Sequence, residues 1–129
     1  MGAATARALA AQGAKVAIFD LNLNLAQEVS KEINGLAFEC DVSDAASAEQ
    51  AIANAREIHG TARICINCAG ISPAKRIVGK EGAMPLAAFE QVLDVNLLGT
   101  FNVMRVIAHA RVVRKIRHDE MTTISLFLQ

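Results

Sequence analysis

Residues 64–70, Ile-Cys-Ile-Asn-Cys-Ala-Gly, constrain this chain most. The run is apolar on successive residues and so leaves no solvated face. It then breaks at Asn67 and closes on Ala69 and Gly70. A strand buried on both faces reads this way, and such strands belong to parallel sheets covered by helices. In open parallel α/β sheets, ligands gather at the strands' carboxyl ends, where small residues let them approach the backbone. Two earlier runs, 15–19 and 36–40, are also strand-like, and each is followed by an acid, Asp20 and Asp41.

Between these runs lie helical stretches. Residues 3–12 are Ala-rich and stop at Gly13, and residues 22–34 space Leu25, Val29 and Ile33 helically and stop at Gly35. Ser47 with Gln50 reads as a capping box for a helix striped by Ala48, Ala51, Ile52, Ala55 and Ile58 and closed by Gly60. Residues 71–84 lose all periodicity, carry Lys75, Arg76 and Lys80, and form a long loop of the kind that often holds function. Pro85 suits the first turn of a long helix from Leu86 to about His109. After a basic cluster, residues 121–128 read as one more strand. Helix and strand alternating at this spacing specify βαβ units and a doubly wound parallel sheet.

Composition narrows the class. Hydrophobic residues make up 53% of the 129 residues but aromatics only 4%, a core of Ala, Val, Ile and Leu. No apolar run reaches the roughly 20 residues of a membrane span, and the first residues lack the pattern of a secretory leader. The formal net charge is zero, which lends no support to nucleic-acid or membrane-surface binding. A cytoplasmic protein is expected. Cys65 and Cys68 form a C-x-x-C, but residues three apart on an extended strand point to opposite faces, so neither a metal nor a redox pair is expected. With Cys40, they read as small buried thiols.

Several residues fit chemistry at the carboxyl ends. Asp20 suits a carboxylate that accepts hydrogen bonds from an adenosine ribose, although an Asp before a helix also serves as a turn or N-cap residue. Gly2 at a helix N-terminus would let a pyrophosphate approach free N–H groups, a weak signal alone. Asp41 is ambiguous, since Asp-Val-Ser-Asp also begins a helix well. Asn96 lies within an apolar stripe (Phe89, Val92, Leu93, Phe101), where an amide must find partners; a solvent-side or locally satisfied Asn is the competing explanation.

Taken together, Gly2-Ala-Ala-Thr-Ala6, Asp20, Asp41-Val42, Asn67-Cys68-Ala69-Gly70 and Val95-Asn96-Leu97-Leu98-Gly99-Thr100 resemble the short-chain dehydrogenase/reductase pattern, in order and at its spacing. The likeness covers residues 1–110, leaving 111–129 as a divergent tail. The Asn-Cys-Ala-Gly-Ile run, the long loop and residues 93–103 are similar to the type-2 3-hydroxyacyl-CoA dehydrogenases within that family. The resemblance implies a Rossmann-like doubly wound parallel sheet, here incomplete, and NAD as cofactor. It implies hydride transfer between NAD and a small-molecule secondary alcohol or ketone such as a hydroxyacyl-CoA, in a homo-oligomer. By position, Met1 and Gly2 would end the glycine-rich turn. Asp20, with Leu21 beside it, would hold the adenosine ribose, Asp41 and Val42 the adenine, and Asn67, Cys68, Ala69 and Gly70 the nucleotide along the strand end. Asn96 would be the Asn of the family's Asn-Ser-Tyr-Lys set.

The departures carry equal weight. The family's general acid/base is a Tyr, and this chain contains none. Ser125 is a weak candidate for the catalytic Ser. The chain therefore reads as an amino-terminal piece without turnover of its own, the alternative being a non-catalytic nucleotide-binding or interaction module derived from the fold. In the family's sheet the first strand lies centrally, between those ending at Asp20 and Asn67. Its glycine turn and that strand would precede Met1, so the resemblance implies a central gap whose flanking strands expose apolar edges or pair with each other, unless residues 121–128 or a repacked sheet fill it.

Overall fold

The computed structural model describes residues 1–80, 82–114 and 123–127. Helices α1 (Gly2–Ala11), α2 (Leu23–Glu32) and α3 (Ala45–His59) alternate with strands β1 (Lys15–Asp20), β2 (Leu36–Glu39) and β3 (Ile64–Asn67). A two-stranded hairpin comes next, β4 (Val78–Gly79) with β5 (Gly82–Ala83). A continuous helical rod then comprises α4 (Leu86–Leu93), a π-helical turn (Asp94–Gly99) and α5 (Thr100–Arg114), and the last described element is β6 (Thr123–Phe127). The main sheet is four-stranded and wholly parallel, in the order β2-β1-β6-β3.

The expected central gap is therefore absent. β6 fills it, pairing on one side with β1 (Ala17 opposite Ser125) and on the other with β3 (Cys65 opposite Ser125). The physical reason is backbone hydrogen bonding. Val16, Ala17, Ile18 and Phe19 are at most 1% exposed, and unpaired N–H and C=O groups so deep would cost more than threading a strand between them. The register also places Ser125 in mid-sheet rather than at the carboxyl edge where chemistry gathers.

β1 alternates as a two-faced buried strand must. Val16 and Ile18 pack with Ala6 and Ala26 under α1 and α2, while Ala17 and Phe19 pack with Ala48, Ile52, Val103 and Ile107 under α3 and α5. Phe19 stacks on Phe38 of β2 with ring centroids 5.6 Å apart. Cys65 belongs to the α3/α5 side and Cys68 to the α1/α2 side, the divergence that strand geometry requires.

Three local expectations need correcting. The N-cap of α3 is Asp44, whose Oδ1 accepts the Ser47 N–H at 2.7 Å. Ser47 Oγ instead accepts the Asp41 N–H at 3.0 Å, and Gln50 Nε2 donates to Asn54, so no capping box forms. Ile58 is 61% exposed and lies outside the buried stripe of α3. The left-handed residue after α2 is Asn34 (φ 52°), not Gly35. Gly35 is needed for closeness: a Cβ there would stand 2.7 Å from the Val16 carbonyl oxygen.

The long helix also differs from its expected form. It runs through position 110 to Arg114, and Arg111 Nη1 donates to the Arg63 carbonyl oxygen at 3.0 Å. Its interior holds the π turn, whose extra residue per turn rotates α5 about the rod axis relative to α4. Phe89, Leu93 and Phe101 face outward, while Val95, Gly99, Asn102, Val103, Ile107 and Ala110 are buried.

Burial pushes the thiols of Cys40 and Cys65 up from near 9 to about 11; Asp41 adds to the effect at Cys40, while hydrogen bonds from Ser47 and Asn67 oppose it. An unfolded chain ionises those thiols near pH 9, and the folded one does not until about pH 11. This contribution to stability is thus complete below pH 9 and lost as pH rises through that window. The melting temperature should fall between pH 9 and 11, and less steeply in a Cys40→Ala/Cys65→Ala variant; identical pH profiles for the two would refute the assignment.

Candidate functional site

The carboxyl ends of β1 and β2 open on a cleft of about 1080 Å³. The sheet forms its floor through Asp20, Glu39 and Asp41, and Leu21 and the start of α2 form one wall. Ile71, Glu90, Gln91, Asp94 and Val95 form the other. The cleft is open and has room for one half of a dinucleotide. Apolar residues on both walls, Leu21 on one and Ile71 and Val95 on the other, with an acceptor-rich floor, fit a flat heterocycle and a ribose.

Asp20 is aimed by a short turn. Its Oδ1 accepts the Asn22 N–H at 2.8 Å, and Asn22 in turn caps α2 by accepting the Leu25 N–H. The turn reading of Asp20 is thus realised, and it engages one carboxylate oxygen. Asp41 is fixed similarly, its Oδ1 accepting the N–H of Ser43 at 2.9 Å and the hydroxyl of Ser43 at 2.6 Å. The two carboxylates stand at the ends of adjacent strands whose last pair is Asp20 opposite Glu39.

Val42 does not line the cleft. It is 2% exposed, and its carbonyl accepts the Asn102 Nδ2–H at 2.9 Å. Asn102 went unnoticed in the sequence. It is buried, donates also to the Asp44 carbonyl at 3.3 Å, and accepts both Nε and Nη2 of Arg105, which reaches on to Glu49 at 2.7 Å. One amide thereby fastens α5 to the turn that carries Asp41. The signal was an Asn three residues from Gly99 within the face that also holds Val95 and Val103.

Asn96 lies in the π turn and forms a two-point clasp. Its Oδ1 accepts the Ile71 N–H at 2.8 Å, and its Nδ2 donates to the Ile71 carbonyl at 2.9 Å. Its own carbonyl accepts the Thr100 hydroxyl at 2.8 Å. The clasp pins the chain just beyond β3, where Gly70 leaves room: a Cβ there would come within 3.3 Å of Asn96 Oδ1. Gly99 plays the same part against Val42, since a Cβ there would stand 2.6 Å from Val42 Cγ2.

The structure brings Asp20, Leu21 and Asp41 together in the cleft and ties Asn96 to its rim through Ile71. The other candidates lie outside that lining. Asn67 ends β3 opposite Phe127, and Cys68 and Ala69 pack into the two opposite cores. Met1, fully exposed, and the buried Gly2 begin α1, where no side chain caps the free N–H groups. Among the described residues no helix is long and apolar enough to cross a membrane.

The sequence profile of the family described as Enoyl-(Acyl carrier protein) reductase matches residues 1–125. The 3-hydroxyacyl-CoA dehydrogenase type-2 of Homo sapiens is 38% identical over 112 residues, covering 84% of this chain and 43% of that protein, and the Bos taurus counterpart is 37% identical over the same span. A D-threitol dehydrogenase of Mycolicibacterium smegmatis is 35% identical over 106 residues, 78% of this chain and 39% of that one. Among solved structures, a sorbitol-6-phosphate 2-dehydrogenase from Erwinia amylovora superposes with a TM-score of 0.79 at 29% identity, over 89% of this chain and 46% of that one. A short-chain dehydrogenase/reductase variant from Serratia marcescens gives 0.74 at 29%, over 84% and 45%. This chain thus spans less than half the length of these relatives.

Two variants test the geometry. Asn96→Ala removes two hydrogen bonds worth about 1 kcal/mol each and should lower stability by about 1–3 kcal/mol while speeding exchange of the Ile71 amide. Gly99→Ala should cost about 1–3 kcal/mol by overpacking, and Val42→Ala in the same chain should recover part of it; additive losses would show that the two residues do not press on one another. With the profile matching nearly end to end and the parallel sheet superposing on solved members, the chain belongs to the short-chain dehydrogenase/reductase family of oxidoreductases.

Proposed function

We propose that this chain forms the adenosine half of an NAD site in an oxidoreductase of the 3-hydroxyacyl-CoA dehydrogenase type. In the whole enzyme, hydride would pass between the nicotinamide and the carbon bearing a secondary hydroxyl of the substrate. The observation that carries the proposal is the pair of carboxylates at the ends of adjacent parallel strands, Asp20 and Asp41, flanking one cleft with Leu21, Ile71 and Val95 as apolar walls.

Each residue has its own part. The Asp20 oxygen not engaged by Asn22 accepts from the ribose hydroxyls. Asp41 would accept from the exocyclic amine of the adenine, and Leu21 would cover the ring. The first N–H groups of α1, at Met1 and Gly2, would hold the pyrophosphate, and the small residues at 67–70 would let the nucleotide approach the backbone. Asn96 holds the strand end in register with the rod. A 2′-phosphate would enter beside Asp20, Glu39 and Asp41, where like charge opposes it, so NAD is preferred to NADP.

Turnover requires a general acid/base, which the family takes from a Tyr, and this chain has no Tyr. Binding without turnover is therefore the function proposed for the chain by itself, which also covers its use as a non-catalytic nucleotide module. The outward apolar residues of the rod, Phe89, Leu97 and Phe101 at 48–62% exposed, support assembly into a homo-oligomer.

Calorimetry with NAD and NADP tests the reading. NAD should bind weakly and NADP more weakly, and Asp20→Ala should weaken NAD by about tenfold, one charge-assisted hydrogen bond, while narrowing the difference between the cofactors. Equal affinities in the parent chain would overturn the proposal. Steady oxidation of a 3-hydroxyacyl-CoA by the chain alone, above a blank, would overturn its second half.

A further inference from the structure

β6 enters the sheet by a connection of unusual hand. Passing from β1 to β2, the chain moves toward one edge of the sheet and crosses on the α1/α2 face; from β2 to β3 it moves toward the other edge and crosses on the α3/α5 face. Reversing both direction and face preserves the hand, so these two crossovers share one, the right-handed form adopted by about 98% of such units. From β3 to β6 the chain moves back toward β2, yet α5 stays on the face of α3. Direction is reversed and face is not. The third crossover therefore has the opposite hand.

A right-twisted strand feeding a right-handed helix packs back onto its sheet readily only in the common sense. The pairing of β6 itself is sound. Its register is unbroken against both neighbours, and Ile124 is 1% exposed between them. The slot fits the strand while the path within one chain fits poorly. Exchange of the strand between two copies keeps every hydrogen bond of the slot and abolishes the left-handed return, because hand is not defined for a strand supplied by another chain. Exchange of one identical element is also a low-cost route to a closed dimer. A second observation points the same way: Leu86, Phe89, Leu93, Leu97, Phe101 and Met104, at 37–68% exposed, run along the rod that leads to β6, an apolar seam beside which a second copy would lie.

We propose that in solution the strand between β1 and β3 is residues 123–127 of a second copy of this chain, given and received reciprocally.

The register supplies the test. Lys15, exposed at the start of β1, is the partner of Thr123, and neighbouring strands hold such pairs about 4.8 Å apart, within disulfide range. A Lys15→Cys/Thr123→Cys chain, oxidised when dilute and run in detergent without reductant, should appear at twice the 13.7 kDa of one chain. A disulfide closed within single chains would overturn the proposal. Sedimentation and amide exchange of the unmodified protein give a readout independent of that variant. The expected result is a dimer with the amides of residues 123–127 protected. A monomer overturns the proposal, as does any species in which those amides exchange freely.

Discussion

The backbone of β1 must be hydrogen-bonded along both edges, and the rest of the structure depends on that requirement. Its residues 16–19 are sealed beneath helices on both faces, so water cannot serve an unpaired group. β2 satisfies one edge and β6 the other. With the strands held, α1 and α2 close one face and α3 and α5 the other, and the carboxyl ends align into a shared rim. The candidate site is the part of that rim where β1 and β2 end together.

The rim is kept in shape by side-chain amides rather than by apolar packing. Asn96 binds the chain leaving β3, and Asn102 binds the turn leaving β2. Both project from the same helical rod, six residues apart, on either side of the change from π to α geometry. Gly99 lies between them and lets the rod sit against Val42. Asn-Leu-Leu-Gly-Thr-Phe-Asn is thus a single fastening that joins the ends of two strands to one helix, and it sets the depth of the cleft.

The sequence disclosed much of this through period and punctuation. β1 and the continuous apolar run of β3 announced themselves because a strand buried on both faces has no polar alternation to confuse. α1 and α2 fell within a residue or two of their expected spans. The capping box failed because the helix starts before Ser47: Asp44 caps it by accepting the Ser47 N–H, so Ser47 falls inside the first turn and its hydroxyl serves the Asp41 backbone instead. The outward stripe on α4 and α5 misled because a π turn is invisible to a fixed helical period. Asp20 and Asp41 were legible as strand-end acids. Asn102 was not, because its partners are backbone carbonyls about 60 residues away, which no local spacing records. Placing β6 between β1 and β3 is likewise a decision made by distant backbone, not by the tail's own composition.

The cleft is also strongly acidic. Among the described residues its lining includes five carboxylates, Asp20, Glu39, Asp41, Glu90 and Asp94, and no Lys, Arg or His. An anion diffusing toward it therefore climbs a repulsive field before it meets any favourable contact. Mobile ions shorten that field to about 8 Å at physiological ionic strength. For most anion-binding proteins salt weakens the encounter, because it screens an attraction. Here it screens a repulsion, so entry of a phosphate-bearing molecule into this mouth becomes faster, not slower, as salt is added.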